Sequence, residues 1–189
     1  RTQMLRDTER ELYWSLAFGT SDSKNKIKKI TDKLGAMNDE NNKNETKKPV
    51  PLYEEGESLD ALKAVPSLGI DPETGKEVFV KKDGSLTTIW DYNDKVVCGT
   101  TDPKFRGTLN SFLTFKGISL NMSFNFQWGG QTYNQTLASR VEGVNPNSNC
   151  DRRVLYDRWK KPGDRTFFKN IALEENVSNL TTRFVQDYN

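Results

Sequence analysis

Few side chains in this sequence are suited to catalysis. Its 189 residues include no histidine, which removes the commonest general base and the commonest zinc ligand. Carboxylate pairs occur at Glu54/Glu55 and Asp91/Asp94, but spacing within loops does not define the geometry that glycoside hydrolysis requires. Since no nucleophile motif is recognisable either, we expect no enzymatic activity and no cofactor.

Metal and thiol chemistry find little support in the sequence. Cys98 and Cys150 lie far apart and form no CxxC pattern, so no structural zinc site is expected. Outside the cytoplasm the two could form a disulfide, or both could be free thiols. The segment DPETG (Asp71–Gly75) carries oxygen-bearing side chains without the spacing of a calcium loop, and it predicts a turn.

The candidates for ligand binding are aromatic rings and polar side chains. The aromatic rings could stack on sugars through their faces, or they could pack among loops. The polar side chains could hydrogen-bond a polar substrate, or they could contact only water and neighbouring protein. The aromatic candidates are Trp90, Tyr92 and Tyr133, and the polar ones are Arg106, Asn125 and Gln127.

The charges of the chain are nearly balanced. Lys and Arg total 28 and Asp and Glu total 26, a formal net charge of +2, which argues against nucleic acid as a partner. The segment DRRVLYDRWKKPGD (Asp151–Asp164) is dense in charges of both signs. We expect Asp151, Asp157 and Asp164 to pair with arginines and order a loop. The alternative is a cluster of arginines that grips an acidic partner.

The strands that would position these residues are clearest at ISLNMSFNFQW (Ile118–Trp128). Its even positions are apolar and its odd positions are polar but uncharged. A two-residue turn at Lys116-Gly117 would pair Phe115 with Ile118 and extend antiparallel pairing back to Phe105 with Trp128. Apolar then meets apolar and polar meets polar at nearly every rung, so both strands support one register.

Two environments produce this alternation. In a soluble β-domain the apolar face meets a core, whereas in a transmembrane barrel it meets lipid and the polar face lines the lumen. Residues 117–139 contain no charged side chain, which favours the barrel. A strand of eleven residues at a tilt of about 45° spans roughly 26 Å, close to the apolar band of such barrels, about 25 Å tall. Phe105, Phe126 and Trp128 share one end, as in an aromatic girdle.

The predicted elements fit the parity of a barrel, with short turns on one side and long loops on the other. Strands are expected at about 11–19, 105–115, 118–128 and 182–189, with external loops at about 20–104 and 129–181. The spacing of apolar residues predicts either a short helix within 27–37 or a polar loop, and residues 41–51 are expected to be irregular. Two turns flank EVFVK and predict small hairpins, and short helices are expected near 136–144 and 152–160.

Several motifs, in order, resemble the C-terminal barrel of SusC/RagA-type TonB-dependent transporters. They are VPSLGIDPETGKEVFVKKDG, then WDYNDKVVCGTTDPKFRGTLNSFLTFKGISLNMSFNFQWGGQTYNQTL, then DRRVLYDRWKKPGD and TTRFVQDYN. The resemblance runs from about Val65 to Asn189, and residues 1–64 match more loosely, most clearly at YEEGESLDALKAV. It implies that residues 1–189 are an internal fragment of a large outer-membrane β-barrel, expected to have 22 strands and an N-terminal plug.

The resemblance also implies a function and its partners. Such proteins import nutrients, oligosaccharides or peptides, across the outer membrane of Gram-negative bacteria. A SusD-like lipoprotein helps capture the substrate, and TonB supplies energy through a plug segment that this chain lacks. The alternative is a soluble, surface-exposed β-rich module that binds glycans or proteins. In an isolated chain we expect residues 1–90 or a second copy to cover the apolar face, leaving Leu120, Met122 and Phe124 unexposed.

Overall fold

The computed structural model describes residues 2–9, 11–43, 49–145, 147, 149–172 and 179–188. The chain is mainly antiparallel β, as the sequence predicts. It divides into two compact units, one formed by residues 1–24, 102–130 and 187–189, and the other by residues 25–101 and 131–186. None of the helices in the described ranges is long and apolar enough to cross a membrane.

The described residues contain eleven strands and one α-helix. The strands are β1 (Thr2–Asp7), β2 (Leu12–Ser21), β3 (Ala61–Ala64), β4 (Ser67–Ile70), β5 (Glu77–Val80), β6 (Leu86–Thr87), β7 (Val96–Thr100), β8 (Phe105–Phe115), β9 (Ile118–Trp128), β10 (Gly130–Tyr133) and β11 (Val185–Tyr188). The helix α1 spans Asp32–Lys43.

The first unit is built on a four-stranded antiparallel sheet in the order β1-β2-β8-β9. The β8–β9 register runs from Phe105 opposite Trp128 to Phe115 opposite Ile118, as predicted. Lys116 and Gly117, between these strands, have φ values of 48° and 79°. Positive φ at both central residues is the geometry of a two-residue hairpin turn whose twist matches that of the strands.

Both short connections between strands lie at the same end of this sheet. Leu12 pairs with Phe115, so the connection from β1 into β2 stands next to the β8–β9 turn. The backbone N–H of Lys116 donates to the carbonyl of Glu11 at 3.3 Å and links the two connections directly. At the opposite end of the sheet, β2 leads into residues 22–104, and β9 leads into the residues that follow Trp128. β2 is antiparallel to β8, so it runs from the short-turn end toward the long-loop end, as the predicted alternation of short turns and long loops requires.

The apolar face of this sheet is exposed, so the prediction that residues 1–90 cover it is wrong. Leu120, Met122 and Phe124 retain 48%, 37% and 55% of their accessible surface in the single chain. The apolar residues of the second unit pack into a core of their own instead. Transferring such a surface into hydrocarbon, rather than leaving it in water, is favourable at roughly 25 cal/mol per Å² of apolar area.

The second unit consists of short sheets around a small core. β3 pairs with β7, β4 and β6 flank β5, and β10 pairs with β11. The predicted hairpins around EVFVK are therefore confirmed. The core is made by residues from all parts of the unit: Leu62, Ala64, Tyr133, Ala138, Val141, Val144, Val154, Phe168, Leu180 and Phe184.

The helical segments differ in type and length from the expectation. α1 ends at Lys43, so the predicted irregular stretch 41–51 begins as helix, and its residues 44–48 lie outside the described part of the chain. The segments expected near 136–144 and 152–160 are a π-helix at Leu137–Glu142 and a 3-10 turn at Arg152–Leu155. Near the C-terminus, a 3-10 turn at Thr182–Phe184 precedes β11, where the strand was expected to begin at 182.

Candidate functional site

The polar face of the four-stranded sheet carries three of the predicted binding residues. Arg106 and Gln127 are cross-strand partners, and Asn125 faces Thr108. The guanidinium of Arg106 donates from Nη2 to Oδ1 of Asp102 at 2.7 Å. Asn125 and Gln127 are exposed. The structure thus brings the three together at the long-loop end of one face, where Asn125 and Gln127 are exposed and Arg106 is paired with Asp102.

Hydrogen bonds between neighbouring strands continue along this polar face. The hydroxyl groups of Thr114 and Ser119 lie 3.0 Å apart, and the Ser123 hydroxyl donates to Oδ1 of Asn110 at 2.6 Å. The side chains are neutral and bond to each other while remaining exposed. Such a surface suits a water-filled lumen better than a protein core.

The apolar face has features that suit a lipid environment. Four aromatic rings cluster at its long-loop end, with the Phe105 and Trp128 centroids 4.4 Å apart and Phe126 6.0 Å from Phe18. Lower on this face, the indole Nε1–H of Trp14 donates to the Ser111 hydroxyl at 3.0 Å. In hydrocarbon an unpaired polar group is costly, so this pairing stabilises both side chains there.

The aromatic candidates lie in the second unit, and two of them contribute to its packing. Trp90 packs against the core and donates its Nε1–H to the carbonyl of Leu180 at 3.2 Å. Tyr133 is buried in the core, edge-on to Phe184. Burial raises the pKa of the Tyr133 phenol, a shift to which nearby carboxylates add. Trp90 and Tyr133 thus make the contacts expected of aromatic rings that pack within the protein.

The third aromatic candidate has a different position. Tyr92 is half-buried and lines a polar pocket in the second unit, together with side chains from α1 and β3. Its position is compatible with ligand contact, which stays a prediction for this residue.

A buried cluster of charges holds the second unit together, and no local pattern in the sequence predicts it. Arg183 donates to both carboxylate oxygens of Glu77, at 2.7 and 2.8 Å, and to Glu142 at 2.5 Å. The Arg183 side chain is 5% exposed and that of Glu142 1%. Arg158 adds a second buried guanidinium, which donates to the backbone carbonyls of Val141, Glu142, Val154 and Lys169.

The cluster is electrostatically balanced, with two arginines and two glutamates. Burial lowers the pKa of the Arg183 guanidinium, but the hydrogen bonds and charges of Glu77 and Glu142 outweigh this effect and leave the pKa raised. Burial also lowers the pKa of Arg158, although Glu142 opposes the shift. A balanced, hydrogen-bonded cluster of this kind fixes the relative positions of the chain segments that supply it, here Glu77 of β5, the π-helix and the turn before β11.

The charged segment 151–164 has the predicted structural role, with different partners from those expected. Asp151 accepts from Arg153 at 2.6 and 3.0 Å, as an ion pair. Asp164 accepts from the backbone N–H groups of Lys160 and Lys161, and Asp157 accepts from the N–H of Phe167. Carboxylates thus order this loop through its backbone more than through its arginines.

The remaining chemical groups are engaged in local structure. Asp91 caps a 3-10 turn through the N–H of Asn93, and Glu54 pairs with Lys63 at 2.6 Å. Cys98 and Cys150 are not bonded to each other: the Cys98 thiol donates to the Leu62 carbonyl at 3.1 Å and the Cys150 thiol to the Asn145 carbonyl at 3.4 Å. Within the described ranges, no group of three or more metal-ligating side chains comes together.

Comparison with known proteins agrees with this architecture. No family model matches the chain. The TonB-dependent receptor P3 of Formosa agariphila is 25% identical over 197 aligned positions, which cover 95% of this chain and 19% of the receptor. The chain is thus similar to a TonB-dependent receptor over nearly its whole length. The resemblance found in the sequence is thereby confirmed.

Solved structures show the same fold. The RagAB peptide transporter aligns with a TM-score of 0.71 at 14% identity, and the RagAB peptide importer in its open-open state with a TM-score of 0.69 at 15% identity. Each alignment covers 98% of this chain and 20% of the solved chain. The chain therefore spans about a fifth of the receptor and of each solved chain that it matches.

Proposed function

We propose that this chain forms part of the wall and the external loops of a TonB-dependent transporter in the outer membrane of a Gram-negative bacterium. The complete protein imports a nutrient, an oligosaccharide or a peptide, that is captured with a SusD-like lipoprotein. TonB energises the transport through a plug segment that lies outside this chain. The four-stranded sheet contacts lipid on one face and the lumen on the other.

The observation that carries this proposal is the exposed, uncharged apolar face of β2, β8 and β9. Along these strands the residues on that face are apolar or small and neutral. They run from Leu12 and Phe115, at the end with the short turns, to the aromatic cluster at the end with the long loops. A soluble module would have to shield this surface, because apolar patches of this kind promote association in water. A bilayer provides the shielding without any further protein contact.

The polar residues on the opposite face supply the proposed route for cargo. Arg106, Asn125 and Gln127 lie near the long-loop end, where an imported ligand would enter the lumen. Tyr92 is proposed as a further contact in the external loops. For Trp90 and Tyr133, which pack in the core, we propose an indirect role in which they hold the shape of those loops.

The proposal is tested by uptake in cells that carry or lack the gene for the complete protein. Labelled oligopeptides and oligosaccharides are supplied separately, with and without an uncoupler that collapses the inner-membrane proton gradient. We expect one ligand class to accumulate only in energised cells that carry the protein, and the protein to be in the outer-membrane fraction. Ligand binding without uptake, by a protein found in the soluble fraction, would establish the binding module instead.

A further inference from the structure

The second unit contains a small pocket lined mainly by positive and polar side chains. Its volume is about 100 Å³, and it lies among α1, β3 and the turn before β7. By the same measure a single water needs about 10–15 Å³, so the pocket has room for a functional group of a ligand. Its lining residues are Asn38, Leu52, Glu54, Lys63, Lys82, Tyr92, Asn93 and Lys95.

The charges in this pocket are not balanced among its own side chains. Lys63 is committed to two carboxylates, Glu54 at 2.6 Å and Glu57 at 2.7 Å. Lys82 and Lys95 are the other two cations of the lining. Asp94 is near, and its Oδ1 accepts the backbone N–H of Lys82 at 3.1 Å. Both lysine ammonium groups are thus left available once Lys63 has its partners.

Lys95 is the unusual member of the set. It is only 7% exposed, and its ammonium makes no hydrogen bond or ion pair with any residue in the described ranges. Burial lowers the pKa of Lys95. The Lys95 side chain is largely buried and its ammonium lines the pocket without a counter-charge among the described residues, so an anion that enters the pocket would be attracted to it.

The neutral side chains of the lining add hydrogen-bond donors to the two ammonium groups. The amide of Asn38 is held in place, since its Nδ2 donates one N–H to the Tyr53 carbonyl and its Oδ1 accepts the Tyr53 N–H. Asn93 donates its Nδ2 to Asp91 at 2.9 Å. The donors that line the pocket are thus the two ammonium groups, the phenol of Tyr92 and the second N–H of each amide, which together can serve both oxygens of a carboxylate.

We propose that this pocket binds a carboxylate of the ligand, with Lys95 as its principal partner and Lys82 and Tyr92 as supporting donors. The proposal rests on the proposed function only for the source of that carboxylate. An acidic peptide side chain and a uronic-acid sugar present the same group, and both are compatible with a pocket of this size. The wall of Leu52 excludes water from one side and strengthens the interaction.

Binding to the complete protein in detergent tests the proposal. The first pair of probes is Ala-Glu-Ala and Ala-Gln-Ala, both acetylated and amidated so that only the side-chain charge differs. The second pair is a disaccharide containing glucuronate and its glucose counterpart. We expect at least about tenfold tighter binding of the acidic member of one pair, as a charge-assisted hydrogen bond would provide. Which pair discriminates identifies the source of the carboxylate.

Two variants assign the effect to the pocket. Lys95→Met keeps the length of the buried stem. It should lower the affinity for the acidic probe to that for its neutral partner. Lys82→Met alters an exposed side chain, so this variant should fold normally. Its affinity for the acidic probe should fall by less than that of Lys95→Met. Lys76→Met, which changes an exposed lysine outside the pocket, is the matched control and should bind like the wild type.

Several results would overturn the carboxylate site. Equal binding of acidic and neutral probes by the wild type would do so, as would unchanged discrimination in both the Lys95→Met and Lys82→Met variants. Competition by inorganic sulfate as strong as that by the acidic probe would show a general anion site instead. The outcome is separable from transport: energised uptake without acidic discrimination removes this site alone, and discrimination without uptake removes only the transport proposal.

Discussion

Replacing Arg183 with methionine should loosen the second unit more than almost any other single substitution. The variant loses both hydrogen bonds to Glu77, the one to Glu142 and the one to the Phe167 carbonyl. It leaves two carboxylates with side chains only 5% and 1% exposed without this partner. Removing one partner of a buried ion pair costs about 3–5 kcal/mol, because the remaining charge is left uncompensated.

Hydrogen exchange in the complete protein measures this cost locally. The N–H of Val65 donates to the Leu180 carbonyl at 3.2 Å, and the N–H of Thr182 donates to the Val65 carbonyl at 3.0 Å, next to the cluster. Where exchange follows local opening, each 1.4 kcal/mol accelerates it about tenfold. We therefore expect peptides containing these amides to exchange at least about a hundredfold faster in Arg183→Met.

Two further variants give the experiment its controls. Arg153→Met removes an arginine from an exposed pair with Asp151 and should leave the same peptides unchanged. Glu77→Gln combined with Arg183→Met removes one of the two orphaned charges and should recover part of the protection. The reasoning is refuted if Arg183→Met exchanges within about threefold of the wild type, or if Arg153→Met has an effect of the same size.

Three other predictions follow from the four-stranded sheet. Phe124→Arg should destabilise the protein in bilayers by about 2–4 kcal/mol, whereas Asn125→Arg on the polar face should cost far less, as measured by unfolding in lipid vesicles. Gly107→Val should lower the yield of folded protein, since a Cβ there would lie 2.3 Å from the facing Phe126 ring, which must move aside. Gly35→Ala meets no neighbouring atom and should leave the yield unchanged. Ser111→Ala should cost about 1 kcal/mol in the same unfolding assay, because the indole N–H that it pairs with loses its acceptor.

The part of the fold that the sequence predicted best is the hairpin from Phe105 to Trp128. Its two strands alternate with a period of two, and the Lys116-Gly117 turn fixes which residues face each other, so each pattern constrains the other. The observed register is the predicted one along its whole length. Neighbouring strands and a local turn supplied all the information that this prediction needed.

Elements with weaker or more distant signals were missed. β1 has Met4 and Leu5 adjacent in sequence and therefore on opposite faces, which gives no alternation to detect. β3 pairs with β7, whose residues lie more than thirty positions later, and the register shifts between Leu62 and Lys63. Neither β1 nor β3 has the local alternation of apolar and polar residues by which a strand is recognised in a sequence.

The buried charge cluster was beyond the reach of the sequence for a related reason. Arg183 meets Glu77 across 106 positions and Glu142 across 41. A charged residue is ordinarily exposed, so nothing local distinguishes these three from solvated side chains. The pocket around Lys95 was missed in the same way, although Tyr92 within it was singled out for its ring. Tertiary contacts, rather than residue type, decide which charges become buried.

The central claim is that the sheet is a membrane wall, and cysteine scanning of Ile118–Trp128 tests it most directly. In the complete protein in membranes, both native cysteines are replaced and single cysteines are placed along β9. Each is probed with a water-soluble thiol reagent and, through an attached fluorophore, with a quencher dissolved in the lipid. We predict quenching by lipid at the even positions and labelling from water at the odd ones. Even positions that respond to neither probe, in protein that washes off the membrane, would contradict the account.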